Sequence, residues 1–141
     1  MSGFLLDTNC ISELVRVRPE RRVLEWFEAA DEGLLYLSVL TLGEIRKGVA
    51  SLPQGKRRTR LESWLEIELR TRFSKRILAI DEAVAHRWGW LAAQAKSKGM
   101  SLAVIDGLLA ATALQHNLTV VSRNSSDFNN AQVPVLNPWK A

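Results

Sequence analysis

Residues 101–121 read SLAVIDGLLAATALQHNLTVV, and this stretch decides the fold. From Ser101 to about His116 the residues are apolar almost all round, as expected of a helix buried on most sides. Asn117 then leads into Thr119–Ser122, a short apolar run rich in β-branched residues that reads as a buried strand. A buried helix delivering straight into an apolar strand is one unit of a parallel sheet covered on both faces. One acid, Asp106, interrupts this apolar helix near its start. An unpaired carboxylate is costly in such surroundings, so Asp106 must meet a cation or hydrogen-bond donors.

The same alternation recurs outward from this unit. Gly3–Leu6 reads as a buried strand and Asp7-Thr8-Asn9 as the turn and cap of a short helix, continued by Ile11–Val15 and ended before Pro19. A helix over Arg22–Ala30 turns Val23, Leu24, Phe27 and Ala30 inward, and Leu35–Ser38 is a strand. Ser38 or Thr41 caps the next helix, which carries Glu44, runs to about Ser51 and is broken by Pro53-Gln54-Gly55. Lys56 to about Phe73 is expected to form one long amphipathic helix. A strand over Ile77–Ile80 follows, then a helix from Asp81-Glu82 ended by Gly99. After Thr119–Ser122 a polar loop leads to a last strand over Val133–Leu136. The reading is a single α/β domain over residues 1–141, a central parallel sheet flanked by helices.

Bulk properties bound the rest. The chain has 141 residues, 47% of them hydrophobic and 24% charged, enough apolar content for one core and too much for a disordered chain. No apolar run is long enough to span a bilayer and no secretory leader is evident, so no membrane partner is expected. A single cysteine, Cys10, cannot form an internal disulfide, which suits a reducing cytoplasm and a buried, inert thiol. The net charge of +4 is uneven: residues 56–76 hold eight Lys/Arg against three acids. That basic stretch, with Lys56, Arg57, Arg58 and Arg60 at its start, is either a polyanion contact or a solvated, ion-paired helix face.

Asp7, Glu44, Asp106 and Asp127 each follow, or open the helix leading to, a strand-like run. In an open parallel sheet the crevice lies beyond the carboxyl ends of the strands, so these four converge there from distant parts of the chain. Gathered carboxylates raise one another's pKa and need a counterion, and a hard divalent cation suits an all-oxygen set. Taken singly, Asp7 doubles as a helix cap, and Gly43 beside Glu44 permits close backbone approach. Arg46 and Lys47 are potential local partners of Glu44, and Asp127 doubles as a turn former.

The stretches Leu6-Asp7-Thr8-Asn9 with Ser12-Glu13-Leu14, Ser38–Ile45, Val104–Ala113, Ser122–Phe128 and Asn137-Pro138-Trp139 resemble, in order and spacing, PIN-domain proteins. The similarity is to the VapC toxins of bacterial toxin–antitoxin pairs, in their FitB-like branch. It implies a five-stranded parallel sheet and a Mg²⁺- or Mn²⁺-dependent endoribonuclease. Asp7, Glu44 and Asp106 would be the core acids and Asp127 the fourth, with Asn124 the other candidate for that place. Thr8, Asn9, Ser122 and Asn124 would support the acids or hold water. From charge rather than from the resemblance, Lys56, Arg57, Arg58 and Arg60 are candidate RNA contacts, and Arg123 is either a contact to a flanking phosphate or a solvated loop arginine. The implied partners are an RNA substrate, tRNA among the candidates, a VapB-like antitoxin and a second copy of the chain, with DNA reached only through the antitoxin. Val15, Val17 and Trp26 on the first helices are candidate antitoxin contacts, and Trp90 is a candidate dimer or antitoxin contact.

Other α/β classes fit less well. A receiver-type phosphoacceptor needs adjacent acids after the first strand, a dehalogenase-like phosphatase needs a second Asp where Asn9 stands, and a dinucleotide fold needs a glycine-rich turn that is missing. His86 and His116 read as helix-surface residues. The remaining alternative is a non-catalytic RNA- or partner-binding module on the same fold.

Overall fold

The computed structural model describes residues 2–140; Met1 and Ala141 lie outside the described residues. Five short strands, β1 (Phe4–Leu6), β2 (Leu35–Ser38), β3 (Ile77–Leu78), β4 (Thr119–Val121) and β5 (Val135–Leu136), form one sheet in the order β3-β2-β1-β4-β5. Every pairing is parallel. Strand side chains alternate between faces, so each strand feeds two cores. Leu6, Leu35, Leu37 and Val121 pack on one face, and Leu5 and Val120 on the other.

The first face is covered by α2 (Arg21–Ala29), α3 (Val39–Ala50) and the helical run from Lys56 to Arg72, through Val23, Phe27, Ile45, Leu65 and Leu69. The second is covered by α6 (Glu82–Ser97) and α7 (Val104–Gln115), through Val84, Leu91 and Leu109. A short helix, α1 (Thr8–Glu13), sits directly after β1. Helices on both faces explain why the strands are apolar throughout.

Several local expectations change. The run expected to be one α-helix from Lys56 to Phe73 is α4 (Lys56–Ser63), a π-helical segment (Trp64–Leu69) and one turn, α5 (Arg70–Arg72). Leu65 and Leu69, four residues apart and so on one face in either helix type, are both buried; the π turn itself is a local widening that residue spacing does not announce. Residues 125–131, expected as a polar loop, form a 3₁₀ helix anchored by buried Phe128 and Ala131. Helix α7 begins at Val104 rather than beside Ser101. Its first turn is not enclosed: Val104 is 59% exposed and Ile105 38%. The α1 helix stops at Glu13, and β3 spans two residues instead of four.

Glycine is required at two close approaches: at Gly3 a Cβ would stand 2.6 Å from the Leu34 carbonyl oxygen, and the second is Gly107 in α7. A Cβ there would stand 2.9 Å from Cδ1 of Trp88, so helices α6 and α7 meet through this contact. At Gly43, by contrast, a Cβ would meet nothing within 4 Å, and no close backbone approach is present.

Candidate active site

Asp7 is the first residue beyond β1, and its N–H donates to the Val121 carbonyl at 2.9 Å, carrying the β1–β4 ladder one residue past the strand. The helix cap expected of Asp7 is present, because its Oδ1 accepts from the Thr8 N–H at 2.8 Å. Its Oδ2 accepts from Ser122 Oγ at 2.7 Å and from Asn9 Nδ2 at 3.4 Å. Ser122 is likewise the first residue beyond β4 and is fully buried, so adjacent strand ends deliver an acid and its donor side by side.

Glu44 lies on α3 and is gripped by α1: Thr8 Oγ1 donates to its Oε1 at 2.5 Å and lies 3.5 Å from Thr41 Oγ1. Arg46 does not neutralise Glu44, because its Nη2 pairs with Glu66 at 2.8 Å. Asp106 is half-buried in the first turn of α7, and Asp127 is exposed on the 3₁₀ helix. Asn124 stands just before that 3₁₀ helix, its side chain making no cap bond, and its N–H donates to Ser122 Oγ at 3.0 Å.

The four acids share one electrostatic neighbourhood. Burial raises the carboxyl of Asp7 above its ordinary value of 3.8. Hydrogen bonds from Ser122 and Thr8 oppose that rise, and the charges of Glu44 and Asp127 add to it. Asp106 is raised first by burial and then by Asp7, Asp127 and Glu44. Among the described residues none of the four acids is paired with a Lys, Arg or His.

No three carboxylates among the described residues stand close enough together to form a closed metal cage. The four acids are thus not drawn together into the ligand cluster expected of them; what they offer is an open, all-oxygen set. Mg²⁺ keeps several waters and binds through one or two carboxylates, so an all-oxygen mouth without an internal cation is compatible with it. Cys10, beside this mouth, is buried, and burial pushes its thiol well up, leaving it an inert core group.

The basic stretch divides. Arg58 is held by Glu62 at 3.7 Å and by the Leu52 carbonyl at 3.2 Å, which removes it from the free cations. Arg72 makes two hydrogen bonds to the Glu32 carboxylate, and Arg76 one, which draws that carboxyl below its ordinary value. Lys56, Arg57 and Arg60 are exposed. His86 and His116 lie on helix surfaces, as expected.

Sequence reasoning missed three groups. Thr41 was read only as a cap, yet it is buried beside Thr8. Glu13 is buried and accepts from the Glu20 N–H and from Arg16, tying down the α1–α2 connection. Its i, i+3 spacing to Arg16 was the available signal. Asn137, quoted from sequence only as part of the Asn137-Pro138-Trp139 motif, fastens the loop after β4.

Fold and site together define a class: a parallel-sheet α/β domain whose strand ends carry a cluster of uncompensated acids. The PIN-domain profile matches residues 4–133. The chain belongs to the PIN-domain family, in the branch of VapC- and FitB-like toxins of toxin–antitoxin systems. It is 41% identical to VapC ribonuclease Y4jK of Sinorhizobium fredii over 136 residues, covering 96% of this chain and 97% of that protein. It is 44% identical to toxin FitB of Neisseria gonorrhoeae over 135 residues, covering 96% and 97%. The crystal structure of FitAcB from Neisseria gonorrhoeae superposes with a TM-score of 0.94 at 43% identity, covering 98% of this chain and 99% of that one. FitAB bound to the IR36 DNA fragment gives 0.92 at 42% identity, covering 96% and 95%. Among the described residues no helix is long and apolar enough to cross a membrane.

Proposed function

We propose that this chain is a metal-dependent endoribonuclease, the toxin half of a toxin–antitoxin pair, acting by hydrolysis of RNA phosphodiesters. The observation that carries the reading is the Asp7–Glu44–Asp106–Asp127 neighbourhood, four acids that feel one another at the strand ends and have no protein cation among them. Such an arrangement costs stability unless a ligand relieves it, which is the mark of a functional site.

Asp7 and Asp106 would hold the ion, Mg²⁺ or Mn²⁺, with Asp127 or Asn124 at its outer side. When bound, the ion supplies acidification of the attacking water and charge stabilisation at the leaving oxygen. Ser122 and Asn9 fix the Asp7 carboxylate through Oδ2. Thr8 holds Glu44 through Oε1, so the other carboxylate oxygen is free to orient a water and accept its proton.

A groove just after α1 offers a seat for a VapB-like antitoxin. It has a volume of about 380 Å³ and is lined by Leu14, Val15, Arg16, Leu61 and Trp64, among others. An adjoining cavity shares Val15, Leu61 and Trp64 and reaches Glu44. An apolar helix laid in this groove would bring its end to the acids, where an Arg could pair bidentately with a carboxylate. Of the contacts expected from sequence, Val15 lines the groove. Val17 is exposed and absent from the groove lining, and Trp26 stacks edge-on with Phe4 and Phe27. Trp90, 61% exposed on α6, remains the candidate contact between copies.

Cleavage of RNA by the purified chain with Mg²⁺ or Mn²⁺, and its loss in EDTA, tests the catalytic reading. Full cleavage in EDTA would remove the metal, and no cleavage under any metal would leave a binding module. Growth arrest by the chain alone, relieved by co-expression of a small adjacent antitoxin gene, tests the toxin role.

A further inference from the structure

An acidic mouth repels the strand it is meant to cut, so an RNA phosphate needs a cation at the rim. Near Glu44, Arg16 is paired with Glu13 and Arg46 with Glu66. Arg123, on the loop directly after Ser122, forms no ion pair among the described residues and is exposed.

Its position is nevertheless built. The guanidinium lies over the Trp139 ring, 5.5 Å from the centroid, and the indole beneath is 9% exposed. The Arg123 N–H donates to Asn9 Oδ1 at 3.3 Å, and the Nδ2 of the same Asn9 reaches Asp7. The Arg123 carbonyl accepts from Asn137 Nδ2 at 3.1 Å, while Asn137 Oδ1 accepts from the Trp139 N–H at 2.9 Å. One asparagine thus aligns both the cation's backbone and its aromatic plate. The Asn137–Trp139 tail that does this lies beyond residues 4–133, the span of the PIN-domain match.

We infer that Arg123, stacked on Trp139 and fastened by Asn137, is a phosphate-positioning subsite for single-stranded RNA at the edge of the acidic mouth, and that the Asn137–Trp139 tail belongs to substrate recognition. A guanidinium stacked on a ring keeps its N–H edge free and pre-oriented, which suits paired contacts to phosphate oxygens. The bland alternative, a solvated arginine, does not account for fixing at both backbone groups and stacking on a buried indole.

This inference rests on the RNA-cleavage reading, and its test separates the two. Anisotropy titrations with a labelled single-stranded RNA of mixed sequence, in EDTA on an Asp106→Asn background, measure binding without chemistry; cleavage by the otherwise unaltered chain is scored in parallel. Arg123→Gln should weaken binding about tenfold, the scale of one charge-assisted contact. It should also lower the slope of log affinity against log salt by about 0.7, the share of one single-strand phosphate. Arg123→Lys should keep the slope and lose part of the affinity, because the charge survives and the planar fork does not. Trp139→Phe should bind nearly as the parent, and Asn137→Ala should weaken binding by more than the lost folded fraction explains. Affinity and slope of Arg123→Gln equal to the parent's, with cleavage intact, would overturn the subsite alone. An unaltered chain that neither binds nor cleaves RNA would overturn both readings.

Discussion

The acidic mouth and the Glu32–Arg72–Arg76 cluster are two charged regions built on opposite principles. At the mouth, Asp7 and Asp106 are raised by burial and by their acidic neighbours, and no protein cation answers them. In the cluster, Glu32 is lowered chiefly by its hydrogen bond from Arg72, and both arginines stack on Phe73. Charge that is closed on itself holds the fold together. Charge left open under partial burial is a cost that only a ligand removes. Neutralising substitutions in the two regions should therefore have opposite consequences.

The largest effect is expected at the mouth. Asp7→Asn or Asp106→Asn should lower RNA cleavage by about 10²-fold or more, the scale of losing a positioned catalytic group. The metal-free melting temperature should hold or rise, since like-charge repulsion is removed. A folded Asp106→Asn protein that cleaves as well as its parent would erase the contrast between the regions.

Next is the support under Asp106. Gly107→Ala places a methyl group against Trp88 and should cost about 1–3 kcal/mol through overpacking. It should also displace the first turn of α7, so cleavage should fall by more than the lost folded fraction explains. Melting curves and rates at a temperature where the variant is fully folded separate the two effects. Equal stability would mean that α6 and α7 spread apart freely.

In the closed cluster, Arg72→Ala removes the paired contact to Glu32 and the packing on Phe27 and Phe73. Both partners are partly solvated, so the loss should be about 1 kcal/mol, read as a lower denaturant midpoint with RNA cleavage retained.

The smallest and most diagnostic difference is in pH. A carboxyl raised on folding binds its proton more tightly in the folded state. The penalty at Asp7 and Asp106 is therefore fully present above their folded pKa values and disappears as pH falls through them toward 3.8. Glu32 has the opposite sign: its contribution is present above its ordinary 4.5 and is lost as pH falls through its depressed folded value. Melting temperature against pH should therefore shift oppositely in Asp106→Asn and Glu32→Gln. Added Mg²⁺ should raise the parent's melting temperature at neutral pH and fade on acidification. A Mg²⁺ effect unaltered by Asp7→Asn would place the ion elsewhere.

Much of this was present in the chain itself. The apolar runs at Phe4–Leu6, Leu35–Ser38 and Thr119–Val121, each separated by helical spacing, dictate a parallel sheet with two covered faces, because strands buried on both sides carry no polar alternation. Acids placed just past those runs, or at the start of a helix leading to one, must approach the same sheet edge, since parallel strands all end there. Tertiary packing decided what side chains do once they arrive. It set the π turn at Trp64–Leu69, left Val104 and Ile105 exposed beside Asp106, tied Arg58 to Glu62 and placed Arg123 on Trp139. Periodicity reports which residues share a face. Whether a charge is answered depends on groups far away in sequence, which only the folded chain brings within a few ångströms.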